Sequence, residues 1–305
     1  MRRHSGARAG RCRSGAVVAA GLALGLCVAG CNARPGLLRA DELPTPARPR
    51  PAPSRREAVP CAVPAAEPCR IIQVGRSVEG EPLSLHLFGT GPAPTLVIGG
   101  IHGDEPTGAY VAERLVALLT EYPEARGRGI VAILPRANPD GLARRTRKNA
   151  NGVDLNRNLP AANWRERPAN RWDYGGPKPA SEPEARAILR TIEMLRPARI
   201  VAIHAIKGNR QCNNYDGPAE DLAHRMASAN GYPVVASLGP CYGSLGNWAG
   251  VDRQIPILTL ELPRELPARE AWEQNREGLV ALIRGGLALA DSPSVAPPTP
   301  SAVGR

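Results

Sequence analysis

Apolar runs alternate with longer amphipathic stretches along the chain, and this alternation predicts a succession of β-strands and α-helices. Short runs rich in β-branched residues predict strands over residues 83–88, 95–99, 130–134, 199–204, 234–236 and 257–261. Helical spacing predicts helices over residues 107–121, 182–195, 219–230 and 268–290. Ser181 stands at the expected N-cap of the second helix, with Glu182 and Glu184 in its first turn. The pattern predicts one α/β domain with a mostly parallel or mixed central sheet.

The first thirty residues have the composition of an export signal. Residues 1–15 carry five arginines and no acid, and residues 16–29 form an apolar run that is short for a membrane span. The run ends in Val28-Ala29-Gly30-Cys31, which resembles a bacterial lipobox, where small residues precede a cysteine that is lipidated. We therefore expect residues 1–30 to be a lipoprotein signal peptide and Cys31 to carry the lipid. An ordinary secretory signal that contains Cys31 is the alternative.

Proline-rich segments flank the predicted domain. Residues 31–65 are dominated by Pro, Arg and Ala, and residues 292–305 have the same character, so we expect a disordered tether and a disordered tail around a folded domain of residues 66–291. The net charge of +11 is concentrated at the start of the chain, since residues 1–60 hold 11 Arg against 3 acids. The remainder shows no basic face with interleaved aromatic residues, and we expect no nucleic-acid partner.

Four cysteines remain beside Cys31 once the export signal is removed, namely Cys61, Cys69, Cys212 and Cys241. In an exported protein an even number of cysteines suggests disulfides, and four cysteines allow three connectivities. We favour the pairs Cys61–Cys69 and Cys212–Cys241, because the first pair is close in sequence. Four free thiols are the alternative.

Three predicted strands end in side chains that are able to bind a metal or move a proton. His102 and Glu105 follow the strand at 95–99, His204 closes the strand at 199–204, and Glu261 closes the strand at 257–261. Sites in open α/β sheets form beyond the carboxyl ends of the strands. Two histidines and one carboxylate make the open three-ligand set of hydrolytic zinc, so His102, Glu105 and His204 are the candidate ligands of one Zn²⁺ ion.

The remaining carboxylate, Glu261, is the candidate general base and acid. Zinc with an open position lowers the pKa of a bound water to about 7 and polarises a carbonyl, and a carboxylate that does not bind the metal must move the proton. The other histidines of the predicted domain, His86 and His224, lie inside a strand and on an amphipathic helix, and we interpret both as structural.

A polar segment at residues 144–158 lies between the candidate ligands. Asn156 and Arg157 are suited to hold a substrate carboxylate through charge-assisted hydrogen bonds. An arginine closer to the metal would stabilise a tetrahedral oxyanion, and both Arg144 and Arg147 suit that role. Spacing alone does not choose between them.

Residues 70–290 resemble the zinc carboxypeptidase (metallocarboxypeptidase) family. The matching motifs are His102-Gly103-Asp104-Glu105, the run Gly152-Val153-Asp154-Leu155-Asn156-Arg157-Asn158, Ser181-Glu182-Pro183-Glu184, His204 and Leu258-Thr259-Leu260-Glu261-Leu262-Pro263. The resemblance implies an α/β fold with a mixed, roughly eight-stranded sheet. It also implies that His102, Glu105 and His204 bind zinc, that Glu261 is the general base and acid, and that Asn156 and Arg157 bind the terminal carboxylate of the substrate.

Within this family the chain resembles the murein peptide amidase branch. The lipobox-like sequence predicts that this domain is part of a bacterial lipoprotein. The stretches that favour the amidase branch are residues 102–108, residues 147–158 and Gly243-Ser244-Leu245-Gly246-Asn247-Trp248. The resemblance implies cleavage of the bond between γ-D-glutamate and diaminopimelate in peptidoglycan peptides. The lipobox-like sequence adds the expectation that the enzyme is anchored through Cys31 in the cell envelope. The alternatives are a carboxypeptidase for other peptides, an aspartoacylase-like deacylase, and a non-catalytic lipoprotein that binds wall peptides.

Overall fold

A computed structural model describes residues 69–167 and 170–285 of the chain. Within these residues eight strands form one sheet in the order β1-β2-β4-β3-β5-β8-β6-β7. The strands are β1 (Arg70–Arg76), β2 (Pro82–Phe88), β3 (Thr95–Gly99), β4 (Val131–Leu134), β5 (Arg199–Ile206), β6 (Cys212–Asp216), β7 (Val234–Val235) and β8 (Ile257–Pro263). The central strands β4, β3, β5 and β8 are parallel, whereas β1/β2, β2/β4 and β6/β8 are antiparallel pairs. The predicted mixed sheet of about eight strands is confirmed.

Helices cover both faces of this sheet. They are α1 (Pro106–Glu121), α2 (Pro139–Arg144), α3 (Pro183–Leu195), α4 (Glu220–Asn230) and α5 (Ala268–Arg284). One core cluster joins Val97 and Ile203 of the sheet to α1, α4 and α5. The other cluster joins Leu96 and Ile98 to α3. Neighbouring residues of a strand point to opposite faces, so Val97 packs into one cluster and Leu96 and Ile98 pack into the other. Strand β3 is therefore buried on both faces, which explains its unbroken apolar sequence.

Three elements were not predicted from the sequence. Strand β1 lies at the edge of the sheet and leaves most of its residues exposed, so it lacks the pattern of a half-buried strand. Strand β6 is polar, and Asn213 is buried because its side-chain amide donates to the carbonyl of Tyr232. Helix α2 has only six residues, which is too few to show a periodicity.

Two predicted helix ends are wrong. Helix α3 begins at Pro183 with Glu182 in the N-cap position, and that residue makes no capping hydrogen bond. Ser181 donates its hydroxyl to the Glu182 carboxylate at 2.8 Å and is not the cap. Helix α5 ends at Arg284, six residues before the predicted end. None of the described helices is both long enough and apolar enough to cross a bilayer.

The cysteines of the described residues are free thiols. Cys212 and Cys241 are not bonded to each other, so the predicted Cys212–Cys241 disulfide is wrong. Cys212 is buried on β6, and burial followed by the charge of Glu261 raises the pKa of its thiol to about 11. Cys69 is also free, while its predicted partner Cys61 lies outside the described residues, as do Cys31, the tether and the tail.

Candidate functional site

The sheet brings the four chemically capable residues to one edge. Strands β3, β5 and β8 are adjacent and parallel, so their carboxyl ends point the same way. His102 and Glu105 follow β3, and His204 of β5 is the direct register neighbour of Glu261 on β8. The convergence that the sequence predicted is therefore a consequence of strand order.

His102, Glu105 and His204 form a compact cluster. Each residue is at most 5% exposed, and each offers a ligand atom within 4.8 Å of the others. The Nδ1 atoms of the two histidines lie 3.1 Å apart. One carboxylate oxygen of Glu105 lies 3.0 Å from Nδ1 of His102, and the other lies 3.0 Å from Nδ1 of His204.

This donor set fits a zinc ion. Two ligand atoms that are each about 2.1 Å from a tetrahedral zinc ion lie about 3.4 Å apart, which is close to the spacing of this cluster. Imidazole nitrogens with one carboxylate oxygen are also the ligand types of catalytic zinc sites. His102, Glu105 and His204 are the residues that would hold the ion.

Glycines let the first two ligands approach the rest of the site. A side chain at Gly103 would overlap the backbone of Gly141 in α2, and one at Gly108 would lie 2.6 Å from the carbonyl oxygen of Ile203. Glu105 occupies the N-cap position of α1, and Pro106 takes the first helical position, where a missing N–H costs no helical bond. The His102–Gly108 stretch thus seats α1 closely against β5.

Asp154 is a further part of the site, and the sequence reasoning did not single it out. It is fully buried, lies 3.1 Å from Nε2 of His102 and accepts a 2.8 Å bond from Nε of Arg147. Burial opposes its ionisation, but His102 and Arg147 hold its pKa well below the usual range. The sequence feature that could have identified Asp154 is its position in the Gly152–Asn158 motif, two residues before Asn156.

Buried charges stabilise one another within the cluster. Burial disfavours the imidazolium form of His102, yet Glu105 and Asp154 raise its pKa to about 9. Burial also opposes ionisation of Glu105, but the two histidines hold its pKa far below the usual range. A bound cation would replace the proton on His102, so the carboxylates that stabilise this proton also favour a metal ion.

The structure distinguishes between the two arginines that the sequence offered for the oxyanion role. Arg147 lies beside the cluster, with Nη1 3.3 Å from Nδ1 of His102 and 3.4 Å from Glu105. Arg144 ends α2, is about half exposed and forms an ion pair with Glu79, outside the pocket. The oxyanion role proposed for Arg144 therefore has no support in the geometry.

Asn156 and Arg157 lie in the wall of a pocket of about 280 Å³ that also contains the cluster and Glu261. The side-chain oxygen of Asn156 accepts the N–H of Leu245 at 2.8 Å, and Nε of Arg157 lies 3.3 Å from Asp173. Both side chains are therefore held in place by neighbours before a ligand arrives. The predicted carboxylate-binding pair faces the same space as the candidate metal ligands.

The Ser-Glu-Pro-Glu motif supports this wall. Asn149 donates its amide to Glu182 at 2.8 Å and to Glu184 at 3.0 Å, and all three side chains are buried. Asn158 donates to Ser181 and accepts the backbone N–H of Glu182. The motif thus anchors both ends of the loop that carries Asn156 and Arg157.

Glu261 has the environment of a proton-transfer group. Burial raises the pKa of its carboxyl, and His204 is the strongest opposing influence. It is not one of the three clustered ligand atoms. The other histidines of the described residues, His86 and His224, lie outside the pocket, where His86 is close to Cys69 and His224 is exposed beside Glu220.

Known proteins are similar to this chain in sequence. Residues 65–227 match the zinc carboxypeptidase family. Murein peptide amidase A of Escherichia coli K12 is 35% identical over 226 residues, which cover 69% of this chain and 88% of that protein. Murein peptide amidase A of Vibrio campbellii is 32% identical over 229 residues, which cover 69% and 86%.

Solved structures agree with the sequence comparison. The murein-tripeptide amidase of Escherichia coli O157 is 34% identical, with a TM-score of 0.61 over 75% of this chain and 96% of that one. Carboxypeptidase A of Helicoverpa armigera, at 20% identity, shares the fold with a TM-score of 0.60 over 72% of this chain and 68% of that one. The chain belongs to the zinc carboxypeptidase family and is a zinc-dependent hydrolase.

Proposed function

We propose that the protein hydrolyses the amide bond between γ-D-glutamate and diaminopimelate in peptidoglycan-derived peptides. The observation that carries the proposal is the pocket that joins the candidate metal ligands, Glu261 and the pair Asn156–Arg157 in one space. The names of the relatives support the substrate, since the two amidases from Escherichia coli and Vibrio campbellii are at least 32% identical.

The residues of the chain divide the reaction between them. Asn156 and Arg157 bind the carboxylate of the residue that is released, which places the scissile carbonyl near the cluster. Zinc, when bound, activates a water molecule and polarises the carbonyl. Glu261 accepts the proton of the attacking water and returns it to the leaving amine, for which its raised pKa is suited.

Arg147 completes the site. Its guanidinium is held by Asp154 and lies beside His102 and Glu105, where negative charge develops on the carbonyl oxygen. A fixed donor at that place stabilises the oxyanion without any rearrangement during the reaction.

The location of the enzyme is part of the proposal. The sequence Val28-Ala29-Gly30-Cys31 supports a lipid anchor at Cys31, and residues 31–65 would then tether the domain to a membrane of the bacterial cell envelope. There the enzyme would act next to its peptidoglycan substrate. Acyl-group labelling of the wild-type chain and of Cys31→Ser, followed by membrane fractionation, tests this point, and an unlabelled wild-type chain contradicts it.

The activity is tested with protein that starts after Cys31. It is incubated with L-Ala-γ-D-Glu-diaminopimelate, with and without a chelator, and mass spectrometry detects free diaminopimelate. We expect release that the chelator abolishes and that added Zn²⁺ restores. Absence of release from a protein that contains zinc would refute the substrate assignment.

A further inference from the structure

The pocket has more cationic side chains than are needed to bind a single substrate carboxylate. Five cationic residues line it, namely Arg147, Arg157, Lys207, Arg210 and Arg264. Three of these already have carboxylate partners, because Arg147 pairs with Asp154, Arg157 with Asp173 and Arg264 with Asp104. Among the described residues no carboxylate lies within ion-pairing distance of Lys207 or Arg210, which leaves these two cations for a ligand.

A tight turn carries both of these cations. Gly208 and Asn209 both have left-handed backbone conformations, with φ of 76° and 53°. Nε of Arg210 donates to the carbonyl oxygen of Lys207 at 3.2 Å and so closes the turn. Glycine and asparagine adopt this conformation at low cost, so the sequence Lys-Gly-Asn-Arg is well suited to form the turn that carries both cations.

The turn forms a different part of the pocket from Asn156 and Arg157. It connects β5 to β6 and therefore crosses the carboxyl end of β8, which lies between these strands. The backbone N–H of Arg264 bonds to the carbonyl of Ile206, which ties the turn to the end of β8. Asn156, in contrast, is bonded to Leu245, on the segment that follows Cys241.

We propose that Lys207 and Arg210 form a second carboxylate site, which binds a carboxylate on the acyl side of the scissile bond. This inference rests on the proposed function. If the released residue of the substrate binds at Arg157, the part of the substrate on the acyl side of the scissile bond extends toward the turn. In a γ-glutamyl peptide that group is the free α-carboxylate of the glutamate. The site would make the enzyme select γ-glutamyl peptides over those in which this carboxylate is amidated.

Binding to an inactive background tests this site separately from catalysis. Zinc-loaded Glu261→Gln protein is titrated calorimetrically with L-Ala-γ-D-Glu-diaminopimelate and with the analogue in which the glutamate α-carboxylate is a carboxamide. Because Lys207 and Arg210 are exposed, we expect the acid to bind about fivefold more tightly than the amide, the upper range for ion pairs of exposed side chains. Adding Lys207→Gln and Arg210→Gln should remove this preference and leave the affinity for the amide unchanged.

Arg136→Gln in the same background is the matched control, because Arg136 is an exposed arginine outside the pocket, and it should keep the preference. If the Glu261→Gln protein binds the acid and the amide equally, or binds neither measurably, the second site is overturned. It is also overturned if the added Lys207→Gln and Arg210→Gln changes weaken the binding of both peptides to the same extent. Hydrolysis by the wild-type enzyme is scored separately. Turnover of acid and amide with equal kcat/KM would overturn the second site while leaving the amidase function intact.

Discussion

His102 lies between two carboxylates, with Nδ1 3.0 Å from Glu105 and Nε2 3.1 Å from Asp154. The outer contact fixes the orientation of the ring, so that Nδ1 faces the other candidate ligands. Asp154 is in turn held by Nε of Arg147 at 2.8 Å. The ion pair of the buried Asp154 with the partly buried Arg147 thus orients the candidate ligand His102.

Replacing Asp154 by Asn should weaken zinc binding. The amide keeps the shape but loses the charge that holds the His102 ring and favours a cation, and changes of this kind typically cost about ten- to a hundredfold in metal affinity. Competition with a chromophoric chelator measures the affinity. Asp252→Asn is the control, because Asp252 bonds to the backbone of Ala162 away from the pocket. Equal zinc affinity in both variants would remove Asp154 from the site.

Arg147 and Arg144 should differ sharply in their effect on turnover. Arg147→Ala removes the donor beside His102 and Glu105, and loss of an oxyanion donor costs about a hundred- to a thousandfold in kcat. Arg144→Ala breaks only an exposed ion pair with Glu79, and kcat should stay near the wild-type value. Zinc content is measured alongside, since Arg147 also holds Asp154. The reverse order of the two effects would contradict the assignment.

Much of the fold and of the candidate site could be predicted from the sequence because the signals were local. Strand β3 is buried on both faces and reads as an unbroken apolar run, and His102, His204 and Glu261 stand directly at or after strand ends. Parallel strand order then brought them together without further information.

The missed features depend on partners that are distant in sequence. Asn213 can be buried in β6 because the carbonyl of Tyr232 and the side chain of Asn230 satisfy its amide. The sequence predicted Ser181 as the cap of α3, but the hydroxyl of Ser181 donates to Glu182, and Glu182 binds Asn149. Which of Arg144 and Arg147 lies beside the candidate metal ligands depends on how α2 packs. Their separation of three residues in the sequence does not determine this. The absence of the Cys212–Cys241 bond is likewise a matter of tertiary placement.

Asp216 should lower the stability of the folded protein at neutral pH. It is partly buried beside Gly246 and Gly250, and burial raises the pKa of its carboxyl. A raised pKa means that the folded state binds the proton more tightly than the unfolded state, so stability falls as the pH rises through the interval between the two pKa values. Asp216→Asn should therefore raise Tm at pH 7.

The pH dependence makes this prediction specific. Below the ordinary pKa of aspartate, about 3.9, the carboxyl is protonated in both states and the advantage of Asn should disappear. Thermal unfolding followed by circular dichroism at pH 7 and at about pH 3 measures the difference. An advantage of the same size at both pH values would show that packing, and not ionisation, is responsible.

Glu261→Gln should separate metal binding from catalysis. Glu261 is outside the three-residue ligand cluster, so the variant should bind zinc as the wild type does. Glutamine has the same size but accepts no proton, and loss of a general base typically lowers kcat by about a hundred- to ten-thousandfold. Metal content is measured by plasma mass spectrometry and turnover by release of the C-terminal residue. Glu265→Gln, an exposed carboxylate four residues later, is the matched control and should keep both properties. Retained turnover in Glu261→Gln would show that another group moves the proton, and loss of zinc would show that Glu261 is itself a ligand.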